Sequence, residues 1–181
     1  MEMKKLVKGL TVVGLLAFTG NSFAATADGT LGTTSTGTVD IDVNIGSMVQ
    51  ISGLVPMTGN FYNSGDGDVT DSTPACIFRN GNANYEITAT SSNGVGTEFF
   101  LSDTVNPDIE YTVALDEGSG PVALTNATTN STFTNANTTQ ADCSSGIAAA
   151  TLSITVPESG TLGTAPDSTY LDELTILVAP R

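Results

Sequence analysis

Residues 39–45 read Val-Asp-Ile-Asp-Val-Asn-Ile, the cleanest period-two stretch of the chain. Val39, Ile41, Val43 and Ile45 face one way, and Asp40, Asp42 and Asn44 face the other, as on a strand with one buried face. A polar run with almost no core formers, ATADGTLGTTSTGT (25–38), precedes it. An amphipathic strand on such a leash either packs at home or is lent to a neighbour. That choice decides whether the rest of the chain is a complete fold.

Upstream, Lys4, Lys5 and Lys8 lead into the apolar run 10–20 and then into Ser22-Phe23-Ala24. This order is that of a secretory signal, with cleavage expected after Ala24. The apolar run is too short for a membrane span, and no later stretch reaches spanning length. The reading is therefore a signal peptide at 1–24, an N-terminal extension at 25–46 and one domain at 47–181. The whole chain carries 5 basic and 19 acidic residues, a net charge of −14, and no His. Beyond residue 24 the only basic side chains are Arg79 and Arg181. A surface this acidic repels phosphate backbones and anionic lipid, so nucleic acid and membrane surfaces are poor partners. It also keeps an exported protein soluble. Cys76 and Cys143 in an exported chain are expected to form one disulfide. It would close a loop of roughly 70 residues, worth about 4 kcal/mol by loop-closure entropy.

No helical periodicity follows the leader. Short β-rich runs alternate with Gly, Asn, Asp and Ser turns. They fall at 49–54, 75–78, 85–90, 99–101, 109–115, 121–124, 132–134, 148–156 and 170–178. With 39–45 they make roughly eight to ten strands, the number expected of an all-β, immunoglobulin-like sandwich.

Catalytic signatures are missing. With no His, and no Lys beyond the leader, the common bases, metal ligands and Schiff-base groups are gone. No GxSxG, GxGxxG or HExxH occurs. The pairs Asp116-Glu117 and Asp172-Glu173 are adjacent residues, which face opposite sides of a strand. No enzyme activity, cofactor or metal is expected. The loop Asn63–Asp68 with Asp71 is rich in oxygen ligands, but it misses the EF-hand spacing and suits a turn equally well. Glycosylation-type triplets begin at Asn126, Asn130 and Asn137, within a stretch so rich in Asn and Thr that they arise by chance.

Four pieces together resemble bacterial pilin subunits of the chaperone–usher type, in the branch of archaic or alternative fimbriae related to spore coat protein U domains. They are GTLGTTSTGTVDIDVNI behind a signal, a strand carrying the first Cys, YEITATSS before the second Cys, and the closing YLDELTILVAP. The chain departs from the family in having no Cys in the first domain strand and in running on to Pro180-Arg181. The resemblance implies a sandwich lacking its last strand. A periplasmic chaperone fills the groove first, and at an outer-membrane usher the extension of another identical or related subunit replaces it. It implies an extracellular fimbria built as a homopolymer.

Carried onto this chain, the donor residues are Val39, Ile41, Val43 and Ile45. The acceptor edge includes Tyr170, Leu174, Ile176 and Val178. Burying four such donor side chains yields ~6–12 kcal/mol gross per junction, less the ordering of the leash. Two alternatives stand beside this. Residues 39–45 could be the domain's own first strand, leaving 29–36 with only Leu31 as an anchor. Or the chain could be a self-contained secreted sandwich acting as an adhesin or a glycan- or calcium-binding module.

Overall fold

The structure, a computed structural model, describes residues 28–58, 60–143 and 150–181. The expected signal peptide lies outside the described residues, as do Ala148 and Ala149 at the start of one expected strand. The chain divides into two units, Met1–Ile45 and Gly46–Arg181, and each is described by itself.

The described residues of the second unit form nine strands: β1 (Val49–Ser52), β2 (Val69–Arg79), β3 (Tyr85–Ser91), β4 (Phe99–Leu101), β5 (Ile109–Asp116), β6 (Pro121–Leu124), β7 (Thr129–Phe133), β8 (Ala150–Val156) and β9 (Leu174–Pro180). One 3-10 turn, Thr161–Thr164, precedes β9. The larger sheet runs β1-β2-β8-β5-β4, with β6 also on β5, and the smaller runs β7-β3-β9. Every ladder between these strands is antiparallel. The fold is all-β, an immunoglobulin-like sandwich whose smaller sheet ends on the terminal strand.

Alternation along the strands builds the core. In β5, Ile109, Tyr111, Val113 and Leu115 are buried while their neighbours face outward. In β3, Tyr85, Ile87 and Ala89 do the same. Tyr85 stacks on Phe133 of β7 with ring centroids 5.3 Å apart, an aromatic pair that ties this edge of the small sheet to the core.

The strand boundaries moved where pairing overrode local pattern. The sequence reading starts a strand at Ala75, because Pro74 interrupts the run; β2 begins at Val69 and passes through Pro74. Its pairing with β1 starts only at Cys76, so at Pro74 one side of the strand is an unpaired edge, where a missing N–H removes no ladder bond. The expected 49–54 strand stops at Ser52, since Gly53 takes φ +83°, a left-handed turn out of the strand. Residues 39–45 belong to none of the nine strands. Their apolar row is open to solvent: Val39, Ile41, Val43 and Ile45 are 73, 85, 77 and 78% exposed.

Cys76 and Cys143 form a disulfide, joining β2 to the loop after β7 across a separation of 67 residues. Reduction, or a Cys143→Ser substitution, should lower unfolding stability by about 4 kcal/mol on the loop-closure estimate; urea denaturation with and without reductant measures it. Arg79 is 5% exposed at the end of β2. Trypsin should therefore leave the Arg79–Asn80 bond of the folded chain intact over hours. Rapid appearance of that cut, followed by mass spectrometry, would mean that the end of β2 opens.

Candidate functional site

Among the described residues, the last strand, β9, pairs on one side only, with β3. Its ladder to β3 sets Ser91, Ala89, Ile87 and Tyr85 against Leu174, Ile176, Val178 and Pro180. The Ser92 N–H donates to the Glu173 carbonyl at 3.0 Å in the same register. Hydrogen-bonded pairs alternate in an antiparallel ladder. Odd-numbered β9 residues therefore bond toward β3, and Leu174, Ile176 and Val178 turn their N–H and C=O groups to the free edge.

The same three residues point their side chains inward, yet the interior does not close over them. Asp172, Leu174, Ile176 and Val178 are all half-buried. Their neighbours on the same face of β3, Tyr85, Ile87 and Ala89, are at most 1% exposed. The difference marks where cover is missing. An open cleft of about 500 Å³ runs there, with Leu174 and Ile176 on one wall, Leu152 and Ile154 of β8 on its floor, and Leu54 and Met57 on the opposite side. Leu54 and Val55 are themselves 44 and 56% exposed. Beyond β1 this wall is held by the Val55 N–H donating to Thr73 Oγ1 at 2.7 Å.

One end of the cleft is polar. Asp172 Oδ1 accepts from Ser92 Oγ at 2.7 Å and from the Asn93 backbone N–H and Nδ2 at 3.1 Å each. Its Oδ2 accepts from Tyr111 Oη of the opposite sheet. Burial pushes the Asp172 carboxyl up, but hydrogen bonds from Tyr111, Ser91, Ser92 and Asn93 outweigh it and hold the group below its ordinary 3.8. Burial, and then the facing carboxylate, push the Tyr111 phenol up. The ionised carboxylate thus clamps the lead-in to β9 onto both sheets.

The structure places the expected acceptor residues unequally. Tyr170, Leu174 and Ile176 line the cleft. Val178 packs against the core at the far end of the row. The sequence reading missed the floor (Leu152, Ile154) and the wall at 54–58. The alternation of Leu152 and Ile154 was visible, but which element they would face was not. Asp172 interrupts the apolar row that Leu174, Ile176 and Val178 continue, and it is the polar stop of the cleft.

The other flagged groups do not form a site. In the 63–71 loop the carboxylates serve their own chain. Asp66 accepts from the N–H and Nδ2 of Asn63, Asp71 accepts from Asn60 Nδ2, and Asp68 accepts from the Glu158 N–H. Among the described residues no group of three or more His, Cys, Asp or Glu is arranged to hold a metal ion. Asn126 and Asn137 are 5 and 3% exposed, and their side chains bond to Ser91, Gly96 and Thr139. Two of the three glycosylation-type triplets are therefore closed to modification in the folded chain.

No family model matches the chain, and no curated protein matches it. Among solved structures, a chain from a chaperone–tip adhesin complex, described as vital for synergistic activation of CFA/I fimbriae biogenesis, superposes with a TM-score of 0.53. It is 14% identical, over 74% of this chain and 42% of that one. At this identity the likeness speaks to the fold, and this chain spans less than half of its neighbour's length.

The depressed Asp172 carboxyl fixes a sign. A group whose folded value lies below its unfolded one stabilises the fold above the unfolded value, and that contribution is lost as pH falls through the folded value. Lowering pH below about 4 should reduce the stability of the wild-type chain more than that of Asp172→Asn. Equal acid sensitivity of the two chains in urea titrations would show that the clamp does not depend on ionisation.

Proposed function

We propose that this chain is a structural subunit of a bacterial surface fimbria, not an enzyme, and that it polymerises by strand addition. The sandwich accepts residues 39–45 of another identical or related subunit along the free edge of β9. Val39, Ile41, Val43 and Ile45 face the inner row of β9, and Asp40, Asp42 and Asn44 face outward. The main chains pair along the edge while alternate side chains fill the interior. Delivery runs through the periplasm, with a chaperone occupying the cleft until an outer-membrane usher exchanges it for the next subunit, and the fibre is extracellular.

One observation carries this reading. The inner row of β9 is half-exposed beside a fully buried row on β3, and the same chain holds, outside the nine strands, a segment of matching period whose apolar row is exposed. The superposition on a chain from a fimbrial chaperone–adhesin complex supports it at the level of fold. The expected signal peptide and the Lys-free surface fit an exported protein that must not adhere indiscriminately.

The test is self-complementation. A copy of residues 37–45 joined through a short flexible linker after Arg181 should turn an unstable or polymerising chain into a stable monomer, read by light scattering and thermal melting. If the unmodified chain is already a cooperative monomer that never assembles, and the appended copy changes nothing, the proposal fails.

A further inference from the structure

Strand addition leaves the register of the incoming segment open, and the two ends of the β9 row restrict it. This inference rests on the reading above. Only Leu174, Ile176 and Val178 combine an inward apolar side chain with free backbone groups on the edge. One step before them, the same row holds Asp172. One step after them it holds Pro180, which has no N–H to offer. The incoming segment carries four apolar residues at alternate positions for these three places. One of the four must lie over an end.

The two ends are not equivalent. Asp172 is bound to four donors of its own subunit, from Ser92, Asn93 and Tyr111. An isoleucine laid over it would strip water from an ionised carboxylate and gain little apolar contact. Over Pro180 the same side chain meets an exposed apolar ring in place of a carboxylate; the charged groups nearby are the guanidinium of Arg79, bonded to the Arg181 carbonyl, and Arg181 itself. A carboxylate that cannot swing away, because it is part of the clamp between the sheets, therefore closes one end of the cleft to apolar side chains. Every ladder in the sandwich is antiparallel, and that pairing is the more stable per residue.

We propose that Asp172 is a specificity-determining register stop. Ile45 of the incoming strand lies beside Leu174, Val43 beside Ile176 and Ile41 beside Val178. Val39 rests by Pro180, and the hydroxyl-bearing Ser47 follows toward Asp172. A slip of two residues toward Asp172 preserves the inward face but sets Ile45 on the carboxylate and Ile41 beside Ile176. That slipped pairing is the one Asp172 excludes.

The two registers differ in which residue touches position 176. Directly paired residues of this ladder sit about 5.5 Å apart at Cα, within reach of a disulfide. The full chain carrying Ile176→Cys is mixed under mild oxidation with synthetic peptides of residues 36–48 containing either Val43→Cys or Ile41→Cys. Peptide mapping confirms that the native Cys76–Cys143 bond is intact. The Val43→Cys peptide should couple more than about tenfold better than the Ile41→Cys peptide. In an Asp172→Leu background the two yields should converge. If that chain fails to fold, Asp172→Asn replaces it, with the preference reduced.

Preferred coupling of Ile41→Cys, or a preference untouched by both Asp172 variants, overturns the register stop. Peptide binding is followed separately as a rise in melting temperature of the unmodified chain. Binding with the wrong coupling sinks only the register. No binding and no coupling at either position sinks strand addition and the register together.

Discussion

The edge of β9 that pairs with no other described strand governs this molecule. A strand at the edge of a sheet presents a row of N–H and C=O groups that need partners, and water supplies them only where it can reach. In this sandwich the edge lies beside an apolar interior, so wetting the backbone also wets Leu174, Ile176 and the floor beneath them. Closing the gap by collapse would unstack the two sheets from the geometry that the disulfide, the Tyr85–Phe133 stack and the Asp172 cluster hold. The cleft therefore stays open, and its apolar walls and free backbone edge together call for an extended segment with alternate apolar side chains.

The polar cluster at the cleft's end has two consequences from one arrangement. Tyr111 reaches it from the large sheet, Ser92 and Asn93 from the end of β3, and Asp172 from the lead-in to β9. It fixes the spacing of the sheets where no strand covers them. It also makes that end hostile to an apolar side chain. Surface charge acts at longer range: a chain of net charge −14 resists nonspecific association. In the proposed fibre, contact between subunits then depends on a segment whose apolar residues are all on one side and whose carboxylates face the other.

Much of this was legible in the residues. Alternation in IEYTVAL and YEITAT gave β5 and β3 nearly to the residue, because a strand buried on one face must alternate. The pairing of Cys76 with Cys143 followed from there being only two cysteines in an exported chain. Legibility ended where a residue's role depends on its partner across space. Pro74 looked like the start of a strand and sits inside one, because β1 does not extend far enough to need its N–H. Asn126 read only as part of a chance triplet in a polar run and is a buried bridge between Ser91 and Gly96. Leu152 and Ile154 lie in the expected 148–156 strand and line the cleft, Leu152 buried and Ile154 half-buried.

The sequence by itself determined the β class, the inward and outward rows of each strand, the disulfide and the absence of the usual catalytic groups. Those follow from side-chain period and residue chemistry, which are local. Only the tertiary structure decided that β9 ends its sheet, that its free backbone groups belong to Leu174, Ile176 and Val178, and that Asp172 is fixed between two sheets. Sheet order and ladder phase are set by which strands meet, and no local pattern encodes the neighbour that a strand lacks.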